Sequence, residues 1–364
     1  MLFGRFMKII DYYIIKKFLG TFFYAISLLI IVVIIFDVSE NIDDFLENSA
    51  PLKNIIFDYY LNFIPYFINL FIYLFTFISV IFFTSKLASN TEIIAFLNSG
   101  ISYNRFLRPY LISAVFLAIL SFYLSNFLIP PANENRREFK DKYMEKLNKL
   151  KDRNIHLQIS PGEFVYVQNY SIGSNVGFKF TLERFKDFKL KYKLSAERIK
   201  WDTATLVWHL EDYFIHKING ESESLIKGVT LDTTLALAPS DLYYQKNDYE
   251  VMNYWELNER IKQEKLKGSD NVKYYEVEKG KRQSSPFATI VMTIIGVSLS
   301  SRKLRGGIGM HLGMGLGIAF AYILFMQIST VFATFGNLSP LYAAWVPNIF
   351  FGIIGIVLLR TTPK

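Results

Sequence analysis

Residues 306–359 read GGIGMHLGMGLGIAFAYILFMQISTVFATFGNLSPLYAAWVPNIFFGIIGIVLL and contain no Asp, Glu, Lys or Arg. A helix needs about 20 apolar residues to cross the hydrocarbon core of a bilayer. The run therefore has room for two crossings, and Gly336-Asn337 with Pro340 mark the turn between them. Four further uncharged runs lie upstream, at 18–36, 59–85, 109–133 and 283–301. The expected count is six spans, three on each side of a polar centre. Pro65 falls near the start of the second span. The third is expected to end near Pro130-Pro131. Pro286 is expected to open the fourth, since proline is tolerated in a first helical turn.

At 364 residues the chain is long enough for two or three soluble domains, and 51% of it is hydrophobic. The distribution decides the class: charges leave long stretches empty and crowd into the rest, as a bilayer imposes when a mid-membrane charge costs several kcal/mol. The net charge is +8. Most basic residues outside the centre flank apolar runs, so the excess reads as membrane orientation and no nucleic-acid partner is expected. There is no cysteine, which excludes disulfides, thiolate metal sites and cysteine catalysis. The basic residues Arg5, Lys8, Lys16 and Lys17 precede the first apolar run, and no small-residue cleavage site follows it. A retained first span is expected, not a removed signal peptide.

Residues 1–17 carry four basic residues and one acid. Lys86, Arg105 and Arg108 face Glu92 alone in 86–108, Arg302, Lys303 and Arg305 follow the fourth span, and Arg360 and Lys364 close the chain. Residues 37–58 instead hold six acids and Lys53. The positive-inside rule puts both termini and these basic loops in the cytoplasm, and the acidic loop with residues 134–282 outside. Lys279, Lys281 and Arg282 run against this trend.

The organisation expected is 1–133 with spans 1–3, 134–282 as an inserted β-rich domain, and 283–364 with spans 4–6. Residues 134–153 read as a charged helix continuing from span 3. Val176, Phe178, Phe180 and Leu182 then alternate with other residues, as do Leu206, Trp208 and Leu210, and Val229, Leu231, Thr233, Leu235 and Leu237. Period-two patterning separated by turn residues predicts half-buried strands in a sandwich or open barrel. Residues 253–267 turn helical again and lead towards span 4.

Catalytic signatures are missing. There is no GxxxxGK[ST], no HExxH and no GxSxG, so no cofactor and no enzymatic activity are expected. His209 and His216 lie seven apart on a predicted strand, on opposite faces, which argues against a shared metal. His311 is the only ionisable residue in the spans, which disfavours an ion-coupled carrier.

Three segments together carry a family resemblance. Leu87-Ala88-Ser89-Asn90-Thr91-Glu92-Ile93-Ile94-Ala95-Phe96-Leu97-Asn98-Ser99-Gly100-Ile101-Ser102 resembles the cytoplasmic loop of the LptF/LptG lipopolysaccharide-export permeases. Ser285-Pro286-Phe287-Ala288 and Gly306-Gly307-Ile308-Gly309 resemble that family's opening of span 4 and entry to span 5. The layout of three spans, insert and three spans is also similar, and the likeness leans to the LptG branch.

The resemblance implies an α-helical, multi-pass protein of the bacterial inner membrane with a periplasmic β-jellyroll. It implies a second, related permease, a cytoplasmic ABC ATPase dimer, a periplasmic bridge component, and lipopolysaccharide as cargo. The segment near 89–100, with Ser89, Asn90, Glu92, Ile93, Phe96, Leu97 and Gly100, would be the helix that docks on the ATPase; a helix lying on the membrane surface is the plainer alternative. Gly309, Gly313 and Gly317 recur every four residues and permit close helix approach. They are either fixed intrachain packing or a lateral gate against span 1 of the partner permease. Lys279, Lys281 and Arg282 are candidate contacts to lipid phosphates, or ordinary snorkelling side chains. In the family, basic residues at the outer end of span 1 are implicated in lipid contact; here that end reads Asp37, Ser39 and Glu40. Phe22, Phe23, Phe36, Phe67 and Phe71 are candidates for an acyl-chain wall, or simply face lipid and neighbouring helices. A membrane-anchored scaffold that moves nothing is the reading from a different class, and lipid-stimulated ATP hydrolysis with a candidate ATPase separates the two.

Overall fold

A computed structural model describes residues 8–144, 153–171, 173–187, 189–203, 205–219, 222–242, 248–269, 271–302 and 306–361. Arg5, Lys303, Arg305 and Lys364, used above for orientation, and residues 145–152 of the expected charged helix lie outside the described residues. The chain divides into two compact units: a helical one of residues 1–145, 249–257 and 273–364, and a β-rich one of residues 146–248 and 258–272.

The helical unit contains α1 (Ile9–Glu47), a short α2 (Leu52–Asn54), α3 (Leu61–Ser89), α4 (Glu92–Asn98), α5 (Tyr103–Tyr123) and α6 (Ile129–Tyr143). After the insert come α7 (Tyr254–Leu266), whose first turn belongs to this unit, then α8 (Val272–Ser300), α9 (Gly307–Phe335) and α10 (Pro340–Thr361). Among the described residues, six helical stretches are long and apolar enough to cross a membrane. Several exceed what a bilayer needs. The 39 residues of α1 extend to about 58 Å at 1.5 Å per residue, so its acidic end continues past the apolar part.

α3 is the central helix. One face, with Ile72, Val80, Phe83 and Leu87, packs on Ile14, Phe18, Phe22 and Ile26 of α1 and on Phe106, Tyr110 and Leu117 of α5. The other, with Phe77 and Ile81, packs on α8, α9 and α10. Lipid is as apolar as these side chains, so close packing and small residues hold such helices together. Gly315 shows the tolerance: a Cβ there would stand 2.3 Å from Ile81 Cδ1. Tyr322 donates to Asn348 Oδ1 at 2.8 Å, and Asn348 Nδ2 donates to the Ser284 carbonyl at 2.8 Å, joining α8, α9 and α10.

The prolines correct two boundaries. The chain does not leave its helix at Pro130-Pro131: a π turn at Leu124–Leu128 leads directly into α6, which carries the two prolines at its first positions. The widened turn, in which Ile129 N–H bonds Leu124 O, accommodates residues that lack the N–H of an ordinary α turn. Pro286 does not open α8 but sits inside it, fourteen residues after Val272.

The β-rich unit is one antiparallel sheet in meander order: β1 (Arg153–Ser160), β2 (Glu163–Ser171), β3 (Val176–Lys186), β4 (Lys189–Asp202), β5 (Val207–Asn219) and β6 (Ser222–Thr233). One face buries Val165, Val167, Phe180, Leu182, Leu194, Ile199, Trp208 and Leu210, with Leu237 and Leu242 added from the following segment. The Trp208 indole N–H donates to the Leu237 carbonyl at 2.8 Å.

The alternation breaks along a line crossing the sheet. Paired positions step over Lys179, Glu197, Asp212 and Val229 on four successive strands without a change of register. Lys179 and Asp212 there have φ of 52° and 50°. The buried residues switch phase across this line: Gly177 then Phe180 on β3, Ala196 then Ile199 on β4. On β3 and β5 an αL residue sits at the switch, and two successive residues there, Phe178-Lys179 and Glu211-Asp212, are both exposed without a residue being inserted. This overturns part of the simple alternation expected from sequence. Phe178, Leu206 and Val229 are exposed, Val229 at 74%. It also corrects the histidines: His209 lies between buried Trp208 and Leu210, His216 follows core-side Ile215, and the switch at Asp212 puts both imidazoles on the face away from the core. Gly228 is required where Tyr213 crosses it, for a Cβ would meet the ring at 2.5 Å.

Candidate functional site

α4 begins after Thr91, whose φ of 61° turns the chain out of α3. Ser89 is the last residue of α3 and Asn90 its C-cap, so neither caps α4; Asn90 Nδ2 instead donates to Glu92 Oε1 at 3.1 Å. Ile93 is buried against α3 and α5, Phe96 and Leu97 pack partly on the same cluster, and Ile94 is half exposed. Gly100, with φ of 82°, ends the segment. Ser102 then caps α5, its side chain accepting from Arg105 N at 3.4 Å.

Beneath α4 is a pairing the sequence reading missed. Arg105 Nη1 donates to Asp11 Oδ1 at 2.6 Å, and Nη2 to Oδ2. The Asp11 side chain is only 3% exposed and also accepts from the Lys8 N–H at 2.8 Å. The two-pronged contact locks the start of α1 to the start of α5. The sequence signal was Asp11 itself, the one acid among the basic residues of 1–17. An apolar groove bounded by Lys8, Ile9, Tyr13, Phe96, Ile101 and Arg105 lies beside the pair.

Gly309, Gly313 and Gly317 form an exposed edge of α9: a Cβ at any of them meets nothing within 4 Å. Intrachain packing of α9 uses Gly315 instead. On α1, Phe22 is fully buried in the chain's own core, whereas Phe23 and Phe36 are 47% and 71% exposed. Phe63, Phe67, Phe71 and Phe75 form a ladder along α3, with centroids 4.2, 6.2 and 6.5 Å apart.

The three cations before span 4 separate. Arg282 is buried and already engaged, donating to Glu278 at 2.8 Å and to the carbonyls of Met252 and Tyr249 at 2.6 and 2.7 Å. Lys281 lines an internal cavity, and Lys279 is partly exposed. Asp37, in the acidic segment, accepts from Tyr60 at 3.0 Å and Tyr59 at 3.2 Å. His209 and His216 have separate carboxylates: His209 Nδ1 lies 2.5 Å from Asp232, and His216 Nε2 lies 3.0 Å from Glu223. The Asp232 contact holds the His209 imidazolium above its ordinary range.

Six long apolar helices, three before and three after an antiparallel sheet, narrow the possibilities to a few kinds of membrane protein. Residues 12–361 match the family described as lipopolysaccharide export system permease LptF/LptG. The chain belongs to the LptF/LptG family. LptF/LptG proteins are lipopolysaccharide export permeases and transmembrane subunits of the Lpt ABC transporter, and the match extends over all six helices and the sheet. No curated protein matches the chain. The LptF/LptG assignment accounts for the absence of any P-loop in the sequence, since a permease subunit has no nucleotide site of its own.

Proposed function

We propose that this permease works as one half of a membrane pair in the inner membrane, with both termini cytoplasmic and residues 134–282 periplasmic. A second, related permease faces it, and a cytoplasmic ATPase dimer docks at α4. Lipopolysaccharide enters between the two permeases and is passed upward to a periplasmic bridge component.

The observation that carries this reading is the open glycine edge of α9. A Cβ on Gly309, Gly313 or Gly317 would meet open space among the described residues, and side-chain-free edges in membrane helices suit close approach by another helix. Span 1 of the partner permease is the helix proposed to close there as a lateral gate. Phe23 and Phe36, exposed on α1, and Phe67 and Phe71, half-buried on α3, supply apolar wall for acyl chains. Phe22 supports that wall from inside. Lys279 is the cation carried forward as a phosphate contact, because Arg282 is spent within the chain.

At the cytoplasmic end, Ile94 and the outer edges of Phe96 and Leu97 offer the apolar surface that a docking groove would take. Asn90 and Gly100 bound the segment, and Glu92 sits at its N-terminus beside the Tyr13 hydroxyl.

Disulfide crosslinking tests the pairing: cysteines at Gly313 or Gly317 and along span 1 of the partner should form nucleotide-dependent crosslinks. The absence of crosslinks in every nucleotide state would reject the gate. Replacing Glu92 with Lys should lower recovery of the ATPase with the purified permease, and unchanged recovery with unchanged export would reject the docking site.

A further inference from the structure

A half-open cavity of about 390 Å³ lies within the helical unit, lined by α3, the α5–α6 segment, α8, α9 and Tyr249-Glu250. Its size falls within the range of about 300–1,000 Å³ typical of ligand sites. The lining is polar for a chain of membrane helices: Tyr66, Tyr73, Gln327 and Ser285 face it, together with Glu250 and Lys281. Polar side chains among membrane helices are costly unless they serve partners or ligands.

Accounting for the hydrogen bonds shows which groups remain open. Asn69 is satisfied by Ser121 and Ser125, Asn133 by the Glu250 carbonyl, and Tyr322 by Asn348. Glu278 and Arg282 neutralise each other at 2.8 Å. Two charged residues of the wall have no ion pair among the described residues, Lys281 and Glu250. They are close enough to influence one another, and Lys281 lowers the affinity of Glu250 for a proton, yet no ion pair within 4.0 Å joins them among the described residues. Burial and Glu278 nevertheless hold the Glu250 carboxyl above the usual carboxylate range, against the opposing pull of Arg136, Arg282 and Lys281. The carboxylate is therefore under-compensated where it stands.

One positive and one negative group on the wall of a tyrosine-lined cavity are complementary to a zwitterion. A simple anion would satisfy Lys281 and repel Glu250; a simple cation would do the reverse. We propose that this cavity binds the phosphoethanolamine headgroup of a membrane phospholipid, its phosphate against Lys281 and its ammonium against Glu250. The tyrosine rings suit the ammonium as cation–π partners, and their hydroxyls and the Gln327 amide can donate to phosphate oxygens. Leu70, Ile323 and Met326 on the same wall suit the first carbons of the lipid tails. The proposal rests on the chain being a membrane permease and not on the identity of the exported lipid.

The test is native mass spectrometry of the whole permease complex, reconstituted with phosphatidylethanolamine and phosphatidylglycerol in equal amounts and extracted in mild detergent. The wild type should retain phosphatidylethanolamine in about tenfold preference, the ratio that 1.4 kcal/mol supports. Glu250→Gln removes the negative wall and should reverse the preference towards phosphatidylglycerol, a gain that misfolding cannot produce. Lys281→Gln should lose both lipids while subunit recovery stays unchanged. Equal retention by the wild type, or an unchanged ratio in Glu250→Gln, would overturn the proposal. Displacement of the retained lipid by free O-phosphoethanolamine at the lipid's own concentration would overturn the lipid source and leave a soluble ligand. No ATP or lipopolysaccharide enters the measurement, so a failure of the export reading leaves its result intact.

Discussion

Replacing Arg105 should damage the protein more than replacing its partner Asp11, although both changes break the same contact. The asymmetry follows from burial. Asp11 is 3% exposed at the side chain and Arg105 is 25% exposed. Arg105→Ala leaves a buried carboxylate with one hydrogen bond among the described residues, from the Lys8 N–H, and the more distant charge of Arg108, and orphaning a buried ion costs about 3 kcal/mol at the low end of such cases. Asp11→Asn leaves a neutral amide that still accepts from Lys8, and frees an arginine that water can reach. That loss should be about 1 kcal/mol, in the range of one hydrogen bond. Arg105→Lys keeps the charge but not the fork, and should fall between the two. The double variant Asp11→Asn/Arg105→Ala contains no stranded charge, so it should be more stable than Arg105→Ala alone. Thermal unfolding of the purified full-length chain in nanodiscs, followed by tryptophan fluorescence, ranks the four variants. Equal shifts for Asp11→Asn and Arg105→Ala, or a double variant no better than Arg105→Ala, would refute the argument from burial. Because the pair sits beside Phe96, ATPase coupling should fall in the same order.

Gly315→Ala should destabilise the chain by about 1–3 kcal/mol through overpacking against Ile81, with Ile81→Val restoring part of the loss; Gly313→Ala, measured the same way without the partner permease, should not destabilise it, since open space receives the methyl and alanine is the better helix former. Asp212→Val should cost about 1–2 kcal/mol because a β-branched residue resists φ of 50°, while Asp212→Gly should be tolerated, as read by urea unfolding of the full chain. His209 should titrate above its ordinary value of 6.5 in histidine NMR, and Asp232→Asn should bring it down. The sign is that of a raised folded-state pKa: the contact contributes fully below about 6.5 and its contribution is lost as pH rises through the folded value.

The six helices were legible because a bilayer imposes a coarse rule on long stretches, and no local competition can hide a run such as 306–359. The helix ends were less legible. Proline at 130, 131 and 286 read as boundaries, but the chain stays helical at each of them: a π turn leads into α6 just ahead of Pro130-Pro131, and α8 runs through Pro286. In the insert, alternation identified strands and then misplaced Leu206, which lies in the turn ahead of β5, and Phe178 and Val229, which lie at the line where the buried face changes phase. Lys179 and Asp212 are ordinary residue types for a strand exterior, so nothing in their identity announces the corner.

The candidate sites divide by the range of the interactions that build them. α4 and the glycine edge of α9 are local patterns within a dozen residues, the first read from a family resemblance and the second from spacing. Asp11–Arg105 and the Glu250–Lys281 cavity join positions 94 and 31 residues apart, and their meaning depends on which neighbouring charges are already paired. Arg282 makes the point. By sequence it is the third member of a basic cluster, yet its guanidinium is consumed by Glu278 and two carbonyls. That pairing leaves Lys281 and Glu250 as the charged residues of the cavity wall with no ion pair among the described residues. What remains, one cation and one carboxylate held apart, favours a ligand carrying both signs over the anion that the run Lys279–Arg282 suggested.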